Sequence, residues 1–162
     1  MKIKDLTNKK LKRISIANFA YFKGSKGTQE HPIIIESSQN LPSSMKFCKS
    51  STFIHIKNCK ATKFELKRCK NLTIEKFTLN QLVLHKSSNV KIKNCIINYT
   101  LELKKCINLQ VLESKIPLLL LVLSFHNNFV GNSFNDIINH YSKANKFENY
   151  QYYNYKVTVW IF

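Results

Sequence analysis

Glycine and proline are scarce in this chain of 162 residues, which contains three of each. Collagen-like sequences and flexible linkers are rich in these residues, so both classes are excluded. Hydrophobic residues make up 44% and aromatic residues 12% of the chain, which is too apolar for a disordered basic tail. The length and the apolar content together predict one folded domain.

Long apolar segments are also missing. The longest run extends from Ile116 to Leu123 and contains a proline, whereas roughly 20 apolar residues are needed to cross a bilayer. The basic N-terminus is not followed by the apolar region of a secretory leader. We therefore expect a cytoplasmic protein that does not associate with membranes.

The cysteines lack the spacing of a disulfide framework or a zinc site. There are five, which is an odd number, and no two form a C-x-x-C pair. Such a set is typical of reduced thiols in a cytosolic protein. The five are Cys48, Cys59, Cys69, Cys95 and Cys106.

A short repeat, with a period of roughly 18 residues or slightly more, occupies the middle of the chain. Three consecutive segments, 63–80, 81–99 and 100–118, place apolar residues in the same positions, and polar residues alternate with them. Alternation of this kind predicts short strands. The apolar columns are Phe64, Leu82 and Leu101; Leu66, Leu84 and Leu103; Leu72, Val90 and Leu109; Ile74, Ile92 and Val111.

So short a repeat without a helical period excludes leucine-rich, ankyrin and tetratricopeptide folds, which need a helix or a longer unit. It predicts a parallel β-helix whose rungs stack about 4.8 Å apart. Earlier copies are visible at Ile33–Ile35 and Ile54–Ile56, and a degraded later copy runs from Leu119 to Phe134. About six rungs are therefore expected, with an Asn column at one turn formed by Asn71, Asn89, Asn108 and either Asn127 or Asn128.

The lead-in Gly24-x-x-Gly27-Thr28-x-Glu30-x-Pro32-Ile33-Ile34-Ile35 and the recurring N-[LV]-x-[IV] units resemble the right-handed parallel β-helix superfamily of pectate lyases and NosD-like repeat proteins. The resemblance covers residues 24–139 and implies an all-β, single-domain, right-handed solenoid. A left-handed β-helix has coils of similar length, but its turns favour glycine. The superfamily's calcium-binding carboxylates have no counterpart, because Asp5 and Asp136 are the only aspartates.

The two ends of such a solenoid need caps, because open ends expose the core and strand edges. We predict a basic N-terminal cap at residues 1–23, a β-helix at 24–139 and an aromatic C-terminal cap strand at 140–162. Apolar residues on the outer face of the late coil would require a cover, supplied by this tail or by a second chain. The predicted cap or partner interface comprises Leu119, Leu121, Leu123, Tyr152, Tyr153 and Trp160.

Few residues suggest catalysis. Glu65 and Glu102 share an outward column two rungs apart, but neighbouring lysines explain them as ion-paired surface residues. The cysteine columns, Cys69 with Cys106 and Cys59 with Cys95, are predicted to be buried filler. His31, His55, His126 and His140 show no ligand spacing. We expect no enzymatic activity, no metal site and no cofactor.

Basic residues dominate the charged residues, with 26 Lys and Arg against nine Asp and Glu, and a net charge of +17. A basic pair recurs at one turn of each copy, which predicts a positive ridge along the stack. A general compositional bias that enriches Lys would also enrich Glu, but Glu is scarce in this chain. The predicted polyanion-binding residues are Lys67, Arg68, Lys86, Lys104 and Lys105, supported by Lys9, Lys10, Lys12 and Arg13.

Because Lys outnumbers Arg by 24 to two, phosphate neutralisation is expected rather than base reading. The leading hypothesis is a non-catalytic protein that binds structured RNA or the ribosome. One alternative is a carbohydrate-active or carbohydrate-binding β-helix acting on an acidic polysaccharide, as the superfamily resemblance implies. Another is a structural subunit of a large particle or capsid, docked as a homo-oligomer or on a protein partner through residues 119–123 and the C-terminal aromatics.

Overall fold

The structure is a computed structural model that describes residues 28–36, 44–46, 53–152 and 157–160. Every regular element within these ranges is a β-strand. The all-β class predicted from the alternating apolar residues is therefore confirmed. The N-terminal cap segment lies outside the described residues, as do Cys48 and Tyr153.

The strands form two sheets. Sheet A contains β1 (Ile33–Glu36), β3 (Ile54–Lys57), β5 (Lys70–Glu75), β7 (Ser88–Lys93), β9 (Gln110–Leu112), β11 (Asn128–Val130) and β13 (Lys146–Glu148). Sheet B contains β2 (Ser44–Lys46), β4 (Lys60–Lys67), β6 (Thr78–His85), β8 (Ile96–Lys104), β10 (Lys115–Val122), β12 (Ser133–His140), β14 (Gln151–Tyr152) and β15 (Val157–Trp160).

The chain alternates between the two sheets and pairs each strand in parallel with the strand one coil later. Phe64 is in register with Leu82, and Leu82 with Leu101, as the repeat predicts. Sheet A likewise aligns Ile54 with Leu72. The molecule is therefore a parallel β-solenoid of about six coils, and the predicted fold is confirmed at this level.

Each of the five long strands of sheet B, which are β4, β6, β8, β10 and β12, bends near its middle. In β4 the consecutive residues Thr62 and Lys63 are both exposed, while Ala61 and Phe64 on either side are buried. The strand β8 is one residue longer than β6, and its register with β6 shifts near this bend. Its extra residue forms a β-bulge at Asn98 and Tyr99, which makes this coil the longer one.

Three corners in each coil adopt the left-handed backbone conformation. One corner contains Arg68, Lys86, Lys105, Leu123 and Tyr141; a second contains Asn71, Asn89, Asn108, His126 and Ala144; a third contains Asn58, Lys76, Asn94, Glu113, Gly131 and Asn149. Asparagine adopts this conformation more readily than most residues, which explains its recurrence in a chain with little glycine.

The predicted Asn column is correct in position for Asn71, Asn89 and Asn108, and backbone hydrogen bonds join its rungs. The backbone N–H of Asn89 donates to the carbonyl of Ile107 at 3.4 Å, and that of Asn108 to Phe125 at 3.3 Å. Their side chains make no hydrogen bonds to one another in the described part of the chain. The column then continues to His126, because the buried Asn127 occupies the next, inward position.

The core is a set of apolar ladders enclosed by the two sheets. Leucine and isoleucine dominate the earlier coils, whereas Phe129, Phe134 and Phe147 fill the later ones. The rings of Phe129 and Phe147 stack at 4.7 Å between adjacent rungs. These aromatic side chains supply large apolar contact areas where the repeat is most degraded.

Small residues fill the columns beside the corners. Cys69, Ser87 and Cys106 occupy one column, and the N–H of Cys69 donates to Ser87 Oγ at 3.2 Å. Cys59, Phe77 and Cys95 occupy another. All four described cysteines are buried, as predicted, and none of them forms a disulfide bond. Burial raises the pKa of Cys95 and of Cys106 to about 11.

The prediction for the outer face of β10 was wrong by one residue. Leu119 pairs with Leu101 and Leu121 with Leu103, so both are fully buried in the core. The half-buried outward residues of β10 are Leu118, Leu120 and Val122. Leu123 follows the strand at a corner and is 37% exposed. An apolar outer face is therefore present, but different residues form it.

The tail contributes two strands, β14 and β15, to sheet B. Residues Val157–Trp160 pair in parallel with the second half of β12, and Gln151–Tyr152 pair with its first half. Together they add the next rung to sheet B. This part of the tail therefore extends the solenoid beyond β12 instead of lying across the outer face of β10.

Candidate polyanion-binding surface

The predicted basic residues of the repeat stack at one corner. Lys67 is in register with His85, and His85 with Lys104. The residues that follow them also stack, because the N–H of Arg68 donates to the carbonyl of His85 at 2.8 Å and that of Lys86 to Lys104 at 2.9 Å. We call this set the basic corner; it consists of Lys67, Arg68, His85, Lys86, Lys104 and Lys105.

The backbone of the corner directs these side chains outward. Arg68, Lys86 and Lys105 have φ values of 56°, 52° and 55°, and all three are exposed. The residue after each of them, Cys69, Ser87 or Cys106, is buried and fixes the corner to the core. The three basic rungs therefore present cations at intervals of about 4.8 Å.

The corner belongs to a longer edge that contains no acidic residue. Five stacked segments make up this acid-free edge: 67–71, 85–89, 104–108, 122–126 and 140–144. Together they contain seven Lys and Arg, three His and no Asp or Glu. Like charges on adjacent strands repel one another, so this arrangement is not explained by the stability of the solenoid.

On sheet A, by contrast, acidic residues pair with individual basic residues. Glu36 contacts Lys57 at 3.2 Å, and Glu75 contacts His55 at 2.9 Å. The hydrogen bond from Asn58, followed by the one from Lys57, lowers the pKa of Glu36. Of the three lysines Lys57, Lys91 and Lys93 in β3 and β7, two are paired, since Lys93 lies 4.0 Å from Glu113. The structure places all three on sheet A, away from the basic corner.

Within the basic corner, one cation has an acidic partner among the described residues. Lys67 Nζ lies 2.8 Å from Glu65 Oε1, and this hydrogen bond lowers the pKa of Glu65. Arg68, Lys86, Lys104 and Lys105 form no ion pair within the described ranges. Their charge is therefore available to an anion from outside the protein.

The pKa of His85 reflects both its desolvation and the positive charges of the corner. Desolvation by its surroundings and then the charges of Lys86, Lys104, Lys67 and Lys105 lower the pKa of its imidazole below 6.5. The ring is therefore mostly neutral at pH 7. An anion bound beside it would oppose the lysine charges and favour its protonation.

The structure describes only some of the remaining predicted site residues. Lys9, Lys10, Lys12 and Arg13 lie outside the described residues. Lys46 in β2 is in register with Lys67, so the basic column extends by one rung in the backbone. Of the predicted partner residues, Leu123 is at the surface, whereas Tyr152 and Trp160 belong to strands that extend sheet B.

The carboxylates predicted to share a column do so. Glu65 is in register with Val83, and Val83 with Glu102. The ion pair between Glu65 and Lys67 favours a structural role for Glu65. No group of three or more His, Cys, Asp or Glu residues is arranged to hold a metal ion in the part of the chain that is described. The described residues include no helix that is long and apolar enough to cross a bilayer.

The sequence reasoning missed the later rungs of the acid-free edge. The N–H of Leu123 donates to the carbonyl of His140 at 2.9 Å, which places Tyr141 directly after Leu123 in the corner stack. We call the ring-bearing residues of these two rungs the aromatic end; they are Phe125, His126, His140 and Tyr141. Extending the columns by two further coils beyond Lys105 would have found them.

In comparisons with family models, with curated proteins and with solved structures, nothing matches the chain.

Proposed function

We propose that this protein is a non-catalytic RNA-binding protein that contacts phosphates through the basic corner. The observation that supports the proposal is the acid-free edge, where cations stack on three successive rungs and most of them lack an ion-pair partner among the described residues. Phosphate neutralisation supplies most of the affinity of such surfaces and makes binding depend on salt. Structured RNA, including that of the ribosome, is the ligand we propose, and the cytoplasm is the location.

The composition of the edge favours phosphate contacts over base reading. Arg68 is the one arginine among the seven cations of the edge, and Lys lacks the planar fork that recognises a base or a phosphate in two places. Binding should therefore depend weakly on sequence. Lys9, Lys10, Lys12 and Arg13 would add further phosphate contacts from the N-terminal segment.

Removing charge from the corner tests the proposal. In the triple variant R68Q/K86Q/K105Q, RNA affinity should fall and the slope of log K against log salt should decrease by about 2 to 3, since each lost contact removes roughly 0.7 to 0.9. The control K76Q/K91Q/K115Q removes the same charge from exposed lysines elsewhere and should bind nearly as well as the parent. Fluorescence anisotropy with a labelled RNA hairpin, across a salt series, measures both quantities.

Three outcomes would count against the proposal. Equal losses in the two variants would mean that net charge alone attracts RNA. Complete displacement of RNA by an acidic polysaccharide, added at an equal concentration of negative charges, would favour the polysaccharide-binding alternative. The β-helix resemblance also implies that alternative. No RNA binding at low salt, together with an oligomeric mass in solution, would favour the particle-subunit alternative.

A further inference from the structure

The acid-free edge changes character along the solenoid axis. Its first three rungs carry the basic corner, and its last two carry the aromatic end. Lys143, which is exposed, lies on the same rung as Tyr141, and its carbonyl accepts a hydrogen bond from the N–H of His126 at 3.4 Å. The aromatic end thus has the basic corner on the preceding rungs and one further cation beside it.

Tyr141 is an accessible ring of the aromatic end. It is 50% exposed, and it occupies a left-handed corner with φ of 54°. Its ring is not part of the buried core. An exposed tyrosine in a backbone conformation that bulky side chains disfavour is not explained by packing.

The corner that holds Tyr141 is built differently from the corners before it. The inward position before each earlier corner is a buried leucine, such as Leu103 or Leu121, but in this coil it is Asn139. The Asn139 side chain accepts from the Ser142 N–H and donates to the Ser142 carbonyl, both at 3.1 Å. These two bonds fix the backbone on either side of Tyr141.

From these contacts we propose that the edge binds an unpaired stretch of nucleic acid, with one base stacked on Tyr141 and the preceding or following phosphates on the basic corner. The inference rests on the proposed function and names the form of RNA that this site takes. Proteins that bind single strands combine a basic track with aromatic rings on which bases stack.

The dimensions of the edge fit such a strand. Lys105 and Tyr141 are two rungs apart along the corner, or about 9.6 Å, and a stacked strand advances about 3.4 Å per nucleotide. About three nucleotides therefore separate a phosphate on Lys105 from a base on Tyr141. A duplex keeps its bases paired and cannot supply a free face to the ring.

Substitution of Tyr141 separates stacking from charge attraction. The variant Y141L should fold, because Leu123 already occupies the equivalent left-handed position one coil earlier. We expect its affinity for a 12-nucleotide single-stranded RNA to fall about 5- to 150-fold, the range for loss of one stacked base. The affinities for a duplex of the same length and for inorganic polyphosphate should be unchanged, and Y141F should bind like the parent.

The variant Y99L provides a matched control, because Tyr99 is 65% exposed on the β8 bulge and lies outside the acid-free edge. It should bind every ligand as the parent does. Unchanged single-strand affinity in Y141L, with RNA and polyphosphate still bound by the parent, would overturn this inference and leave the proposed function intact. Loss of polyphosphate binding in Y141L would also overturn it. If the parent bound neither RNA nor polyphosphate, the proposed function itself would fail.

Discussion

At the scale of single residues, His85 combines partial desolvation with the positive charges of the corner. Its imidazole pKa lies below 6.5 because of desolvation and then the neighbouring lysines. The unfolded chain therefore binds more protons than the folded chain between that lowered pKa and 6.5. The stability contributed by neutral His85 is present above pH 6.5 and is lost as the pH falls below it.

Binding of a polyanion should offset the loss of stability that accompanies protonation of His85. Because bound phosphate favours the charged imidazole, RNA affinity should increase between pH 7.5 and pH 5.5 by more in the parent than in H85Q. Anisotropy titrations of both proteins at constant ionic strength provide the measurement. Parallel pH profiles for the two proteins would show that His85 does not face the ligand.

At the scale of elements, β10 shows where reasoning from the sequence succeeded and where it failed. The columns of the earlier strands were predicted correctly, because polar residues alternate with apolar ones there. In β10 the run from Ile116 to Leu123 contains no polar residue, so alternation no longer identifies the inward face. Between β4 and β12 only the coil that ends in β8 has an extra residue. Counting that residue twice shifts the register by one and exchanges the faces.

The corrected register of β10 can be tested with two alanine variants of adjacent leucines. L119A removes a fully buried side chain and should lower the free energy of unfolding by about 2 to 5 kcal/mol. L120A truncates an outward, half-buried side chain and should cost under about 1 kcal/mol. Urea denaturation monitored by circular dichroism gives both values. The reverse order would restore the faces predicted from the sequence.

The corners were less accessible to prediction than the strands. Left-handed turns are usually recognised by glycine, but in this chain Gly131 is the one glycine at a described corner, and lysine, asparagine and even tyrosine fill the others. Tyr141 was overlooked for this reason. Counting coils identifies its position as a corner, whereas its residue type does not. The acid-free edge became visible only when the register had aligned the five segments.

At the scale of the whole molecule, net charge opposes compaction. A charge of +17 on 162 residues repels itself, and added salt screens this repulsion over a Debye length that falls from about 30 Å at 0.01 M to 10 Å at 0.1 M. The four ion pairs found among the described residues involve partly exposed side chains and are worth little individually.

We therefore expect the melting temperature to rise by several degrees when NaCl is increased from about 10 mM to 500 mM. The variant R68Q/K86Q/K105Q should melt higher than the parent at low salt and gain less from added salt, because part of the repulsion has been removed. Differential scanning fluorimetry would measure both effects. A melting temperature that falls with salt would mean that the surface ion pairs outweigh the repulsion.

The bend in sheet B determines how this solenoid can change in length. Elsewhere in a strand, one inserted residue turns every later side chain to the opposite face. At the bend two consecutive residues already point outward, and β8 accommodates an additional one beside Asn98 without disturbing the buried Ile97 or Leu101. In proteins related to this one by descent, insertions and deletions should therefore occur mainly at this bend. A peptide tag introduced after Asn80 should lie on the surface and leave every core ladder intact.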